Sequence, residues 1–100
     1  MAELIWGDVA VSDLEGLYDY IARDSQQYAR HQIERTHQSI ERLRQFPESG
    51  RKVPEFPHLP HREVIVDNYR VIYRYVADSD RVFIVACVHG RRLLAESSLT

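Results

Sequence analysis

The stretch HREVIVDNYRVIYRYV, from His61 to Val76, contains two runs of β-branched and aromatic residues separated by Asp67-Asn68. Such runs on either side of a tight turn predict a β-hairpin, with strands over 62–66 and 69–77. A third run, RVFIVACVH, follows a turn at 78–80 and predicts a strand over 81–89. We therefore expect an antiparallel meander of three strands, the last two central because both of their faces are apolar.

Two arginines interrupt the second strand of this meander. Arg70 and Arg74 lie on either side of Ile72, and because side chains alternate across a strand, all three point to one face. Tyr73 and Tyr75 point to the opposite face. If the tyrosines pack against helices, Arg70 and Arg74 line the other face, where they either meet water or bind a phosphate.

The first half of the chain predicts one strand and two helices. The short run ELIW at 3–6 indicates a strand. Apolar residues then recur at intervals of three and four over 10–21, and again over 29–43, which is typical of two amphipathic helices. Asp8 and Asp24 are the expected N-terminal caps. The few residues between the helices predict an antiparallel helical hairpin.

The order of these elements predicts one α+β domain over residues 1–100. We expect the helical hairpin to pack on one face of a mainly antiparallel four-stranded sheet, in the order β-α-α-β-β-β with a short C-terminal tail or helix. The other face is expected to be open or only partly covered. The proline-rich segment from Pro47 to Pro60 predicts a long loop, and long loops in compact domains are often functional.

Composition narrows the classes of function. The net charge of −2 argues against a protein that grips nucleic acid by bulk electrostatics. Lys52 is the only lysine among 13 cationic residues, and arginine suits bidentate recognition of carboxylate or phosphate.

Metal, cofactor and membrane binding are not expected. The single Cys87 has no partner for a disulfide or a zinc site, and His58 and His61 lack further ligands nearby. No apolar run approaches the ~20 residues that a membrane span needs, and the N-terminus does not resemble a signal peptide. We expect a cytoplasmic protein.

Four segments carry a resemblance to a known group of proteins. They are DLEGLYDYIARDS at 13–25, FPESGRKVPE at 46–55, REVIVDNYRVIYRYV at 62–76 and IVACVHGRRLL at 84–94. Together they resemble the RelE/ParE superfamily of toxins from bacterial type II toxin–antitoxin systems. The resemblance implies a partner antitoxin, with a helix along the helical hairpin and an extended stretch near the sheet. Candidate antitoxin contacts are Phe56, Leu59, Leu93 and Leu94.

Members of this superfamily either poison DNA gyrase or cut messenger RNA on the ribosome. We favour the ParE-like, gyrase-directed role, because trapping another enzyme requires a surface rather than a complete catalytic set, and the sequence lacks a complete acid–base set. The loop at 50–55 and the segment HGRRLL resemble stretches common in those members. The candidate target-binding residues are Arg51, Lys52, Arg74, Arg91 and Arg92.

The alternative is a ribosome-dependent messenger ribonuclease. Such an enzyme needs a base, cations for the phosphorane charge and an acid. The resemblance places Arg70 and Arg91 in the cationic role, and His89 could transfer protons near neutral pH; Arg62 is a further candidate. However, the strand REVIV lacks the lysines of that branch, and the tail LLAESSLT lacks its tyrosine. A third possibility is an inactive member that only binds antitoxin.

Overall fold

The computed structural model describes residues 1–99. It contains two α-helices, five strands and two short 3₁₀ turns. In chain order they are β1 (Glu3–Trp6), α1 (Asp8–Ala22), α2 (Gln26–Glu41), a 3₁₀ turn (Arg42–Arg44), β2 (Arg51–Lys52), β3 (Arg62–Val66), β4 (Tyr69–Val76), β5 (Arg81–His89) and a second 3₁₀ turn (Glu96–Leu99).

The strands form one sheet in the order β1-β5-β4-β3-β2. β1 runs parallel to β5, and the other neighbours are antiparallel. The α+β architecture is therefore confirmed, with one strand more than the four expected. The additional strand, β2, has only two residues, Arg51 and Lys52, which pair with Glu63 and Arg62. A strand this short carries no alternating pattern that the sequence could reveal.

The helical hairpin begins and turns almost where the sequence predicted. α1 begins at Asp8, so its cap is the extended residue Gly7 rather than the expected Asp8, and no side chain among the described residues caps this helix. The cap of α2 is Ser25 rather than Asp24, since the Ser25 Oγ accepts a hydrogen bond from the Tyr28 N–H at 3.1 Å. Asp24 is instead still bonded to the end of α1, through its N–H to the Ile21 carbonyl.

The main core lies between the helices and the sheet. Leu14, Leu17 and Ile40 from the hairpin pack with Val71 and Tyr73 from β4. Tyr73 is fully buried although it is a tyrosine. Its hydroxyl accepts a hydrogen bond from the Gly50 N–H at 2.9 Å, so the polar end of the ring is satisfied. The tyrosine row of β4 thus faces the helices.

The opposite side of the sheet, here called the far face, is partly covered: Ile72 on it is fully buried, whereas Ile65 remains 54% exposed. The loop after β2 and the C-terminal segment close over it, and a second core forms from Val53, Ile72, Ala86, Val88, Leu94 and Leu99, with Phe56, Leu59 and Val85 packed against it. A bulge in β5 lies beside this second core, and one of the residues packed against the core, Val85, belongs to it. Ile72 pairs with Ala86 but Tyr73 pairs with Ile84, so Val85 is the extra residue.

Candidate functional site

Arg70 lies at the centre of a buried charge cluster on the far face. Only 5% of this residue is exposed. Its guanidinium donates to both oxygens of Glu55, from Nη1 to Oε2 at 2.8 Å and from Nη2 to Oε1 at 2.7 Å. Nε and Nη2 also donate to the Oε1 of Glu63, at 2.8 and 2.6 Å. The expectation that Arg70 lies on the open part of this face was therefore wrong, because the loop and the C-terminal segment cover it there.

The charges of this cluster balance. Arg51 on β2 donates through Nε and Nη2 to the second oxygen of Glu63, both at 2.7 Å. Two guanidinium groups therefore meet two carboxylates. Hydrogen bonds from Arg70 are the main reason that the pKa of Glu55 falls to about 2, and the same contact raises the pKa of Arg70.

The cluster also fastens the C-terminal segment to the sheet. Nη1 of Arg70 donates to the backbone carbonyl of Arg92 at 3.0 Å, and the Leu94 N–H donates to Oε2 of Glu55 at 3.1 Å. Every charged group here already has a partner of opposite sign. The arrangement joins the loop, the sheet and the C-terminal segment. Because Nε, Nη1 and Nη2 of Arg70 all donate within it, none of them is left to bind a phosphate.

Arg62 lies away from Arg70. It pairs across the sheet with Tyr73, whose side chain belongs to the core beneath the helices. Its Nη1 donates to the Gly50 carbonyl at 2.9 Å. Because alternate residues of a strand face opposite sides, Arg62 lies on the helical side and Glu63 on the far face.

His89 also lies on the helical side of the sheet. It pairs with Tyr69, and the two rings meet edge to face with their centroids 5.7 Å apart. Its Nδ1 accepts a hydrogen bond from the Arg91 N–H at 3.1 Å. The four candidate catalytic residues are therefore divided: Arg62 and His89 on one face, Arg70 buried on the other, and Arg91 exposed in the turn after β5.

The candidate target-binding residues are partly brought together. Arg51 and Arg92 line one cleft of about 550 Å³ on the far face. Lys52 is exposed nearby, and its Nζ donates to the Leu59 carbonyl at 3.3 Å. Arg74 lies over the Phe83 ring, 5.2 Å from its centroid, and does not line this cleft.

The candidate antitoxin contacts are mostly engaged within the chain itself. Phe56, Leu59 and Leu94 pack in the far-face core. Leu93 is 84% exposed and is the member of this set that remains available at the surface. In the sequence, nothing about the proline-rich loop or the C-terminal leucines indicates whether their apolar side chains cover the sheet or bind a partner.

The helical hairpin carries a groove whose residues the sequence reasoning missed, although it expected an antitoxin helix along the hairpin. It has a volume of about 310 Å³ and an almost entirely apolar lining of Trp6, Val11, Leu14, Tyr18 and Ile33, with Glu15 and His37 also at its wall. Val11 is 42% exposed. Val11, Leu14 and Tyr18 follow one another at intervals of three and four, so they form a second apolar ridge that the sequence does contain. This hairpin groove is a free apolar surface.

Residues 1–99 contain neither a candidate metal cluster nor a helix that could span a membrane. No cluster of three or more histidine, cysteine, aspartate or glutamate side chains suited to a metal ion occurs among them. None of their helices combines the length and apolar character needed to cross a bilayer.

Comparisons with known proteins agree with this fold. A family model described as "ParE toxin of type II toxin-antitoxin system, parDE" matches residues 4–94. Toxin RelE2 of Caulobacter vibrioides is 34% identical over 93 residues, which cover 93% of this chain and all of the relative.

Two solved structures share the fold. The chromosomal ParDE toxin–antitoxin system of P. aeruginosa superposes with a TM-score of 0.70 at 19% identity, covering 89% of this chain and 96% of the other. The RelBE2 toxin–antitoxin complex of Mycobacterium tuberculosis gives 0.59 at 18% identity, covering 88% and 96%. These two likenesses show the fold, and the family match over residues 4–94 shows that the chain belongs to the ParE toxin family of type II toxin–antitoxin systems.

Proposed function

We propose that this toxin acts as ParE-like members do, by poisoning DNA gyrase in the cytoplasm, and that a cognate antitoxin neutralises it. The observation that carries the proposal is the state of Arg70, whose guanidinium is buried and hydrogen-bonded to Glu55 and Glu63. An arginine held in this way supports the scaffold and is not available to stabilise a phosphorane.

The division of the other candidate residues supports the same proposal. Cleavage of RNA through its 2′-hydroxyl requires an acid, a base and cations within reach of one phosphate. His89 and Arg62 lie on the helical side of the sheet, whereas Arg70 lies on the far face. A gyrase poison needs no such constellation, since its effect arises from binding.

The hairpin groove is where we propose that the antitoxin places an amphipathic helix. Such a helix requires a long apolar surface, and the groove from Trp6 to Ile33 provides one. The structurally similar ParDE and RelBE2 systems are themselves toxin–antitoxin pairs. Leu93, which is exposed, is an additional contact for an extended part of the antitoxin.

Induction of the toxin alone in a bacterial host tests the proposal. We expect growth arrest, a DNA-damage response and altered plasmid topology, all of which disappear when the neighbouring antitoxin gene is co-expressed. Mapping of messenger 5′ ends from the same cultures tests the ribonuclease alternative. Cuts within codons that vanish in an Arg91→Ala variant, without any change in plasmid topology, would overturn the gyrase proposal; Arg91 is exposed, so its replacement leaves the core intact.

A further inference from the structure

A cleft with aromatic walls lies on the helical side of the sheet, where α1 meets the ends of β4 and β5. Its lining includes Asp13 and Tyr20 of α1, Tyr69 of β4, His89 of β5, and Arg92 just beyond β5. We refer to it as the tyrosine cleft. Its volume of about 350 Å³ is in the range of sites that bind small ligands, and it shares no lining residue with the hairpin groove.

Three rings line the tyrosine cleft. Tyr20 is 67% exposed although its side chain is large and aromatic. Tyr69 is half-buried, and its ring meets the His89 ring edge to face, with the centroids 5.7 Å apart. Burial is the main reason that the pKa of Tyr69 is raised, and Tyr20 adds to the shift, so the two phenols are neighbours. Exposed rings of this kind are the usual platform on which a planar base stacks.

Asp13 supplies a carboxylate beside the buried Cys87. Its Oδ2 accepts a hydrogen bond from the Cys87 N–H at 2.9 Å, which fixes the side chain against β5. Its Oδ1 makes no hydrogen bond or ion pair among residues 1–99. Because a carboxylate has about four acceptor positions, most of those of Asp13 remain open to a ligand. A carboxylate held in this way suits a ligand edge that presents N–H donors.

Arg92 supplies the opposite charge, farther along the cleft. Cys87 and His89 are two strand residues apart, roughly 7 Å. Arg92 lies beyond them, and its N–H donates to the His89 carbonyl at 3.0 Å. Its guanidinium is exposed and makes no hydrogen bond or ion pair with other described residues. The cleft therefore offers a carboxylate, flat ring faces and a guanidinium, which together complement a ligand with a donor edge, a planar ring and an anionic group.

We propose that the tyrosine cleft binds a guanine nucleotide, with the base stacked on Tyr20 and Tyr69, its Watson–Crick edge on Asp13 and its phosphate on Arg92. Guanine presents two adjacent donors, N1–H and N2–H, which one carboxylate accepts together. Adenine presents one amino group beside an acceptor nitrogen that a carboxylate repels, and uracil presents one N–H between two carbonyls. The proposal does not depend on whether the toxin poisons gyrase, since it concerns a different ligand.

Titration of the full, isotope-labelled chain with guanosine monophosphate, followed by NMR spectra of the backbone amides, tests the proposal. Adenosine monophosphate, uridine monophosphate and guanosine are titrated in parallel. We expect guanosine monophosphate to shift the amide signal of Cys87, because that N–H is bonded to Asp13. It should bind about tenfold more tightly than the other two nucleotides, whose donor patterns do not match, and about tenfold more tightly than guanosine, which lacks the phosphate.

Variants of the cleft identify the contacts. Tyr20→Ala should weaken the binding of guanosine monophosphate about tenfold, whereas Tyr20→Phe keeps the ring and should bind as the parent does. Asp13→Asn keeps an oxygen for the Cys87 N–H but removes the charge, so it should abolish the preference for guanine over adenine. Phe46→Ala and Asp19→Asn, at exposed positions outside the cleft, are the matched controls and should bind as the parent does. Circular dichroism checks that each variant is folded.

A guanine nucleotide is either free or part of a single strand, and two oligonucleotides separate these sources. One is a short RNA with a single guanine among uridines, and the other is an all-uridine RNA of equal length. Guanosine monophosphate that binds at least as tightly as the guanine-containing RNA identifies the free nucleotide as the ligand. A strand is the ligand if the guanine-containing RNA alone binds about tenfold more tightly than guanosine monophosphate.

Three outcomes would overturn the proposal. One is equal binding of the three nucleotides by the parent, because the cleft would then not read the base. Another is the lack of any shift in the folded parent at millimolar guanosine monophosphate. The last is an affinity for guanosine monophosphate that Tyr20→Ala and Asp13→Asn leave equal to that of the controls.

Discussion

Arg70 and Glu55 lie 15 positions apart in the chain and form a two-pronged ion pair, with nitrogen–oxygen distances of 2.8 and 2.7 Å. The pair joins a central strand to the loop that covers the far face. Glu63 provides a second carboxylate for the same guanidinium. Loop, sheet and C-terminal segment therefore depend on one charge cluster, and the stability of the domain should depend on it as well.

Replacing Glu55 by glutamine should destabilise the fold by about 2–4 kcal/mol, since the amide cannot neutralise Arg70 and leaves a buried charge with only a shared partner. Urea unfolding monitored by circular dichroism measures the change. Glu34→Gln is the matched control, because Glu34 is exposed on α2, and it should shift stability by no more than about 0.5 kcal/mol. Equal effects of the two substitutions would show that the cluster does not support the fold.

Acid should weaken the fold through the same carboxylate. The pKa of Glu55 is about 2 in the folded protein, against an ordinary value of 4.5. In an unfolded chain Glu55 takes up a proton as the pH falls below that ordinary value, whereas the folded protein resists until about pH 2. The contribution of Glu55 is thus complete above pH 4.5 and is lost progressively between 4.5 and 2.

Urea midpoints of the parent and of Glu55→Gln across this pH range measure that loss. The difference between the two proteins should be greatest near neutral pH and should shrink as the pH falls from 4.5 to 2. A difference that stays constant over the whole range would mean that the ionised Glu55 carboxylate is not the source of the stabilisation.

Replacement of Gly50 by alanine and replacement of Gly16 by alanine should change the stability of the fold in opposite directions. A Cβ at Gly50 would lie 2.6 Å from the Tyr73 hydroxyl and 2.7 Å from the Glu63 carbonyl, so Gly50→Ala should destabilise by about 1–3 kcal/mol. Gly16 lies on the exposed side of α1 with nothing within 4 Å of the added atom. Gly16→Ala should therefore stabilise by about 0.5–1 kcal/mol. Thermal unfolding of both variants checks the signs, and a stabilising Gly50→Ala would contradict the packing described here.

Binding of the antitoxin should depend on the hairpin groove and not on the rest of α1. Val11 lines the groove and is 42% exposed, whereas Val9 is 60% exposed and does not line it. Val11→Asp places a charge in the proposed helix-binding surface and should weaken antitoxin binding by about tenfold or more, because the carboxylate would be buried without a partner. Val9→Asp introduces the same charge on the same helix and should have little effect. Calorimetric titration of each variant with the antitoxin from the neighbouring gene measures this; equal affinities would place the contact elsewhere.

Much of the fold was predictable because its signals are local. The runs on either side of Asp67-Asn68 predicted β3 with its observed bounds and β4 with an end one residue too late, at 77 instead of 76. The periodic apolar residues predicted both helices. The family resemblance was likewise confirmed by the match over residues 4–94. These features depend on neighbours close in sequence, which periodicity and turn chemistry report directly.

The environment of Arg70 could not be predicted in this way. Its alternation with Ile72 correctly placed it on the face opposite the tyrosines, but whether that face is covered depends on Glu55, Arg92 and Leu94, which are distant in sequence. Leu93 and Leu94 look alike in sequence, yet one projects and the other is buried. Such differences follow from tertiary packing, for which a single sequence contains no local signal.

The most direct test of the account uses purified components. The toxin is incubated with DNA gyrase, supercoiled plasmid and ATP, and the reaction is stopped with detergent and protease so that trapped cleavage complexes appear as linear DNA. The account predicts linear DNA that increases with toxin concentration and is abolished by the antitoxin, together with intact messenger RNA when the same toxin is added to translating ribosomes. Messenger RNA cut within codons, with no linear plasmid at any toxin concentration, would contradict it.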